Sequence, residues 1–191
     1  MKSKLTSHPT DIFSGSNTLA ILTFTVGEQA YSLPVTQVVR IIEMVAITRL
    51  PGTPKIIRGV INVQGKTVPI IDLRYRFGLS TQAYGLHTPI ILADTGNGQT
   101  MGFIVDSVED VVEVSRSHLA TPETILPAEL EQQITSEVAY LAGVITIEQQ
   151  MIIVLNARAL LTSTEQTILH QVLDDQEAVI RTAPQAGEPG E

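Results

Sequence analysis

Residues 59–74 read GVINVQGKTVPIIDLR, and this stretch decides the fold of the chain. It contains two apolar runs rich in β-branched residues, separated by a polar turn at residues 64–66. Such runs around a short glycine-containing turn indicate the two strands of a β-hairpin. Asp72 follows the second run, where its side chain can cap a short helix over residues 73–77. The stretch therefore predicts a unit of strand, turn, strand and capped helix.

The same pattern returns without a gap at residues 143–158, which read GVITIEQQMIIVLNAR. Both stretches begin with Gly-Val-Ile, and Asn156 takes the place of Asp72 as the helix cap. Arg158 takes the place of Arg74. This repeat favours two similar small β-barrels that pack on each other, although two aliphatic hairpins can also resemble each other by chance.

The rest of the chain adds further hairpins and defines the expected domain. Apolar runs around glycine-containing turns within residues 19–33 and 89–105 indicate two more hairpins. We expect one mainly β domain over residues 18–162, with short helices and a boundary between its subdomains at roughly residues 80–87. Three further segments are expected: a flexible arm over 1–17, a C-terminal helix over 163–179 and a disordered tail over 180–191.

Composition limits the classes of protein that this chain can be. It has 191 residues, 43% of them hydrophobic but only 4% aromatic, and no Trp or Cys, so we expect an aliphatic core without disulfides. No apolar run approaches the roughly 18 residues that a membrane-spanning helix needs, and the first 16 residues do not resemble a signal peptide. A cytoplasmic protein without direct membrane insertion is therefore expected.

The charge of the chain is unevenly distributed. Residues 1–76 hold nine Lys/Arg and four Asp/Glu, whereas residues 77–191 hold three and sixteen, so the two parts carry +5 and −13. This polarity favours protein partners with complementary faces, although it can equally serve solubility. Nucleic acid is not an expected partner, because the basic part is not dense and aromatic residues are scarce.

We find no candidate for a catalytic residue, a metal site or a cofactor site. None of the four histidines has a second ligand at metal-binding spacing, and no nucleophile motif is present. The Gly96-Asn97-Gly98 stretch lacks the Lys-Ser/Thr pair of a phosphate-binding loop and is interpreted as a hairpin turn. A cluster of four acids is interpreted as the solvated face of a strand: Asp106, Glu109, Asp110 and Glu113.

Residues 19–161 resemble the CheW family along their whole length. The most distinctive match is the run GVINVQG at residues 59–65, followed by VPIIDLR at residues 68–74. The Tyr-x-Leu-Pro-Val sequence at residues 31–35, the Gly-x-x-Val-Asp sequence at residues 102–106 and the Tyr-Leu-Ala-Gly-Val sequence at residues 140–144 also match, in the same order as in the family.

The resemblance implies two five-stranded, SH3-like β-barrels around a shared core, and a protein that is not an enzyme. Members of the family bind the cytoplasmic tip of chemoreceptors and the CheW-like regulatory domain of a CheA-type histidine kinase. By this resemblance the chain is a chemotaxis adaptor, monomeric alone, that forms rings with the kinase beneath membrane receptor arrays. The residues that it implies for receptor and kinase binding are Val38, Arg40, Gly59, Asn62, Gln64 and Gly65.

Two of these residues depart from the family pattern. The family usually has Glu at the position of Arg40 and Arg at the position of Gln64, and those two side chains could form an ion pair. The pair is absent here, which predicts altered partner choice with an unchanged fold. An adaptor of a type IV pilus pathway or another paralogous chemosensory system is the alternative, and a small-ligand-binding β-barrel is a more distant one.

Overall fold

Apolar runs rich in β-branched residues form eleven strands in the part of the chain that the computed structural model describes, residues 17–96, 98–121, 124 and 139–182. The same part contains two α-helices, α1 (Leu73–Arg76) and α2 (Ser163–Thr182). The strands are β1 (Thr18–Val26), β2 (Gln29–Pro34), β3 (Val38–Glu43), β4 (Ile57–Val63), β5 (Lys66–Asp72), β6 (Pro89–Asp94), β7 (Thr100–Ile104), β8 (Ser107–Ser115), β9 (Leu119–Ala120), β10 (Leu141–Ile147) and β11 (Gln150–Leu155).

The strands form two sheets with the same internal pattern. One sheet has the order β8-β1-β2-β11-β10-β9, and the other has the order β3-β6-β7-β5-β4. In each sheet a single pair is parallel, β2 with β11 and β5 with β7, and the other neighbours are antiparallel. The expected mainly β fold with two β subdomains is confirmed. The first sheet has a sixth strand, the short β9, where the second sheet has only a bridge between Thr48 and Val60.

The repeat predicted from the sequence is confirmed in atomic detail. Gly59 pairs with Ile70 after a break in register, and Gly143 pairs with Val154 after the same break. The caps also correspond, because the side chain of Asp72 accepts hydrogen bonds from the backbone of α1 while that of Asn156 accepts one from the N–H group of Arg158. The two hairpins are therefore copies of one structural unit.

The expected subdomain boundary needs correction. Residues 80–87 lie between α1 and β6, two elements of the same subdomain, and do not separate the sheets. The chain leaves the six-stranded sheet after Pro34, builds the whole five-stranded sheet, and returns at Ser107. Because β2 pairs in parallel with β11 far along the chain, the first hairpin completes the last subdomain rather than the first.

A shared core joins the two sheets. Leu22 and Phe24 from the six-stranded sheet pack in one cluster with Ile71, Ile91 and Phe103 from the five-stranded sheet. Each sheet also has a smaller aliphatic cluster of its own. Burial of fully covered side chains of this size stabilises a fold by about 1.5–3 kcal/mol each, so the central cluster is a principal source of stability.

Asp106 strengthens this junction with hydrogen bonds between elements. Its carboxylate accepts from the backbone N–H of Gly27 at 2.7 Å and from the side-chain amide of Gln82 at 3.0 Å, and it pairs with Arg74. Gly27 belongs to the turn between β1 and β2, whereas Arg74 lies in α1. Asp106 thus ties the six-stranded sheet to the other subdomain.

The C-terminal helix is docked on the core. Leu169 of α2 is fully buried in the central cluster, and Leu173 packs beside it. Arg76 of α1 pairs with Glu165 of α2 at 3.3 Å. The helix extends to Thr182, so residues 180–182 of the expected disordered tail are helical. The expected arm, except Asn17, and residues 183–191 lie outside the described residues.

Candidate partner-binding site

The six residues implied by the resemblance lie on the five-stranded subdomain. Val38 and Arg40 belong to β3, at one end of the strand order, whereas Gly59 and Asn62 belong to β4, at the other end. Gln64 and Gly65 form the turn between β4 and β5.

Both end strands contribute to the same small core. Ile42 of β3 and Ile61 of β4 pack in one aliphatic cluster. After β3 the chain crosses to β4, where the N–H of Thr48 donates to the carbonyl of Val60 at 2.9 Å and the reverse bond measures 2.8 Å. The sheet therefore curls until its two ends approach, which places all six residues on one small subdomain.

Asn62 and Gly65 shape the turn. Val63 pairs with Lys66, so the loop has two residues, Gln64 at φ 53° and Gly65 at φ 82°. Positive φ at both positions is typical of a type I′ turn, which fits the twist of the flanking strands. The side-chain oxygen of Asn62 accepts from the N–H of Gly65 at 2.9 Å and holds this conformation.

Gly59 and Val38 have structural roles as well. A Cβ atom at Gly59 would lie 2.1 Å from the carbonyl oxygen of Thr48, so only glycine lets the bridge between Thr48 and Val60 form. Val38 packs against the central core. These two residues therefore fix the local backbone and its packing.

Arg40 and Gln64 are the members of the set that are free to contact a partner. Both are exposed, and neither side chain forms a hydrogen bond or ion pair with any residue in the described ranges. No hydrogen bond joins Arg40 to Gln64. A guanidinium with no internal partner keeps its full capacity for a carboxylate, because its planar donors can bind both oxygens.

Sequence reasoning missed an exposed apolar strip on and after β3. Val39, Ile41 and Val45 are 58%, 44% and 46% exposed. The register of β3 with β6 skips Val39 between Val38 and Arg40, so this strip begins at an irregularity in the sheet. The signal was present in the run VVRIIE, which does not alternate apolar and polar residues as a half-buried strand would.

A buried acid lies beneath the same subdomain surface. Asp72 is completely buried and accepts from the N–H groups of Arg74 at 2.9 Å and Tyr75 at 3.3 Å. It also accepts from the hydroxyl of Tyr84 and lies 3.6 Å from Nε of Arg58. Burial, and secondly the hydrogen bond to Asp72, raise the pKa of Tyr84. Tyr84 therefore stays protonated and acts as a donor to the carboxylate.

Two further searches of the described residues gave no site. They contain no group of three or more His, Asp or Glu side chains placed to hold a metal ion. Within the same ranges, neither helix is both long and apolar enough to span a bilayer.

Comparisons with known proteins agree with this architecture. Residues 20–165 match the model of the CheW-like domain family. The chain is 34% identical over 151 residues to the chemotaxis protein CheW of Klebsiella aerogenes, covering 79% of this chain and 86% of that protein. It is 36% identical over 106 residues to CheW of Bacillus subtilis, covering 55% of this chain and 67% of that protein.

A solved structure gives the same result. The scaffolding protein TtCheW from Thermoanaerobacter tengcongensis is similar to this chain with a TM-score of 0.62 and 31% identity, covering 72% of this chain and 88% of that one. The match to the family model extends over both β subdomains and the start of α2. The chain therefore belongs to the CheW-like domain family.

Proposed function

We propose that this protein is a non-catalytic scaffold that couples chemoreceptors to a CheA-type histidine kinase in a chemotaxis or related motility pathway. The observation that carries this proposal is the family match over residues 20–165, which includes both subdomains and the junction between them. Rigid subdomains joined by a continuous core suit a scaffold, because they hold a partner-binding surface in a fixed geometry.

The surface around β3 and the turn between β4 and β5 is the proposed receptor- and kinase-binding site. Arg40 and Gln64 contact the partner, while Val38, Gly59, Asn62 and Gly65 hold the backbone that presents them. The exposed side chains of Val39 and Ile41 add apolar area to this surface. An apolar patch beside a free guanidinium is typical of protein–protein contact sites.

The assembly state is part of the same proposal. We infer a cytoplasmic monomer that joins the kinase in rings beneath receptor arrays. The charges of +5 on residues 1–76 and −13 on residues 77–191 support heterologous contacts, in which unlike faces meet.

A paralogous pathway such as type IV pilus motility is the second candidate. The observation that favours it is the pair Arg40 and Gln64, because Arg in place of the family's usual Glu reverses the charge offered to a partner. The more distant alternative, a ligand-binding barrel, has less support, since Ile61, Ile70 and Ile90 fill the interior of the five-stranded subdomain.

Quantified binding to each CheA-type kinase and receptor tip of the source organism tests the proposal. We expect selective binding to one kinase, and a change in partner preference of about tenfold or more in the double variant Arg40→Glu/Gln64→Arg. Glu148→Arg is the matched control, because Glu148 occupies the equivalent turn of the other subdomain and should leave binding unchanged. Failure to bind any kinase or receptor would refute the scaffold role.

A further inference from the structure

An open groove of about 650 Å³ lies beside β4, on the same subdomain but lined by other residues than the six discussed above. Its wall comes mainly from the segment that connects β3 to β4, and the rest comes from the start of β4 and from Tyr75, Thr81 and Tyr84. Three cations line it, Arg49, Lys55 and Arg58. A volume of this size is enough for a small ligand or for several side chains of a peptide.

Two of the three cations of the groove, Arg49 and Lys55, are not neutralised by an acid in the described part of the chain. Arg49 and Lys55 are exposed and form no ion pair or hydrogen bond with any residue that the structure describes. Glu43, the acid that precedes the groove in the chain, is bound to His87 at 2.8 Å. A local excess of positive charge on a chain of net charge −8 attracts an anionic partner to this place.

Arg58 is held in position to bind a carboxylate. Its Nε atom lies 3.6 Å from the buried Asp72, and its guanidinium lies over the ring of Tyr84, 5.4 Å from the ring centroid. The Arg58 side chain is 31% exposed and lines the groove. A guanidinium fixed at one edge and open at the other loses little entropy when it binds an anion.

The groove also has an apolar lining, which argues against a purely inorganic anion. Ile47 and Leu50 line it, and the rim residues Val45 and Tyr75 are 46% and 40% exposed. Covering these side chains is favourable only for a ligand with apolar groups next to its negative charges.

We propose that this groove binds an acidic segment of a protein partner in which carboxylates alternate with aliphatic side chains. One carboxylate binds the open edge of Arg58, others pair with Arg49 and Lys55, and an aliphatic side chain covers the apolar lining. The proposal is independent of the receptor and kinase assignment, since it depends on the charge and shape of the groove alone.

The test is a titration of the isotope-labelled full chain, followed by amide NMR shifts, with a capped peptide of three Glu-Glu-Leu-Ala repeats. The proposal predicts saturable shifts of the amides lining the groove, in residues 45–58 and 81–84, and weaker binding as salt rises from about 50 to about 300 mM. Arg49→Gln/Lys55→Gln should weaken binding by about tenfold or more, while Lys66→Gln, an exposed cation on β5, should not. Unchanged melting temperatures would confirm that both variants fold.

Two ligand controls complete the experiment. A peptide with Gln in place of every Glu should not shift these amides, and inorganic pyrophosphate should bind more weakly than the acidic peptide. The proposal is overturned if the Gln peptide binds as well as the acidic peptide, or if the acidic peptide leaves the groove amides unshifted. It is also overturned if pyrophosphate binds and the acidic peptide does not. Kinase and receptor binding is measured separately, so either proposal can fail without the other.

Discussion

The β4–β5 hairpin and the β10–β11 hairpin are copies of one unit that differ in their charged groups. In the first, the cap is the buried Asp72, which also accepts from Tyr84 and lies near Arg58. In the second, the cap is Asn156, whose side chain accepts a single backbone hydrogen bond, from Arg158. The fold therefore needs only an acceptor at the cap, and in the first hairpin this acceptor also contacts two residues that line the groove, Arg58 and Tyr84.

The largest difference is expected between Gly59→Ala and Gly143→Ala. Gly59→Ala should cost about 3 kcal/mol of unfolding free energy, because the new Cβ would meet the backbone of Thr48 at 2.1 Å. Gly143→Ala should cost less, about 1–2 kcal/mol, because its nearest backbone atom, the carbonyl oxygen of Ala120, would lie 2.7 Å from the new Cβ and its other close contact, Leu119 at 2.6 Å, is a flexible side chain. Urea unfolding of the two variants measures both losses of unfolding free energy.

Gly85→Ala is the control for these substitutions, because the nearest atom to its Cβ would be 3.9 Å away. Its stability should change by less than about 0.5 kcal/mol. Equal losses at Gly59 and Gly143 would contradict the view that the bridge at Thr48 is the more rigid of the two contacts.

The strands, turns and caps of the two hairpins are predicted well from the sequence. Apolar runs around a two-residue turn, followed by Asp72 or Asn156, are signals carried by neighbouring residues, and the repeat makes each signal stronger. The subdomain boundary depends instead on β2 pairing with β11, across most of the chain. Short-range patterns do not encode such a pairing, which explains why the expected boundary was misplaced.

The second prediction compares the two caps. Asp72→Ala should cost about 2–3 kcal/mol, because two backbone N–H groups and the hydroxyl of Tyr84 lose a buried acceptor. Asn156→Ala should cost about 1 kcal/mol, the usual value of one cap. Thermal and urea unfolding of both variants test this order.

Asp72→Asn separates the cap from the charge, because an amide oxygen can still accept from the backbone. We expect a loss between those of the two alanine variants, together with weaker placement of Arg58 over Tyr84. If Asp72→Asn were as stable as the wild-type protein, the carboxylate charge would have no role in ordering the groove.

The third prediction concerns the turns. Gln149 has φ 74° at the position where the first hairpin has Gly65. A side chain in this left-handed region costs about 1 kcal/mol, so Gln149→Gly should raise the unfolding free energy by about that amount. Gly65→Ala should lower the unfolding free energy by a similar amount. Chemical denaturation measures both variants, and changes of opposite sign in the unfolding free energy would confirm that the turns are equivalent.

The candidate site was only partly visible in the sequence. Asn62 and Gly65 were identified within a motif, and their hydrogen bond explains why the motif has that form. The groove could not be found in the same way, because Arg58 and Tyr84 are brought together by Asp72 and not by their spacing. The sequence shows isolated cations in a proline-containing loop, and only the fold shows that they share a cavity.

The smallest expected effect is the alkaline stability that Tyr84 contributes. Its pKa is raised above its ordinary value of 10.0, chiefly by burial, so the folded protein holds this proton more tightly than the unfolded chain does. The contribution is complete below pH 10 and is lost as the pH rises toward the folded pKa, because the unfolded chain binds fewer protons there. The unfolding free energy should therefore fall above pH 10, less steeply in Tyr84→Phe than in the wild-type protein.

Urea unfolding at pH 9 and pH 11, about one pH unit below and above the ordinary tyrosine pKa of 10.0, measures how far the unfolding free energy falls in each protein. The difference between the wild-type protein and Tyr84→Phe is the contribution of Tyr84. Tyr31, whose pKa burial also raises, is present in both proteins and cancels from this difference. Tyr75→Phe is the control, because the ring of Tyr75 is 40% exposed on the rim of the groove. In the β10–β11 hairpin the cap is the neutral Asn156, which accepts from the backbone and needs no tyrosine hydroxyl. Identical slopes for Tyr84→Phe and the wild-type protein would mean that Asp72, like Asn156, acts as a cap alone.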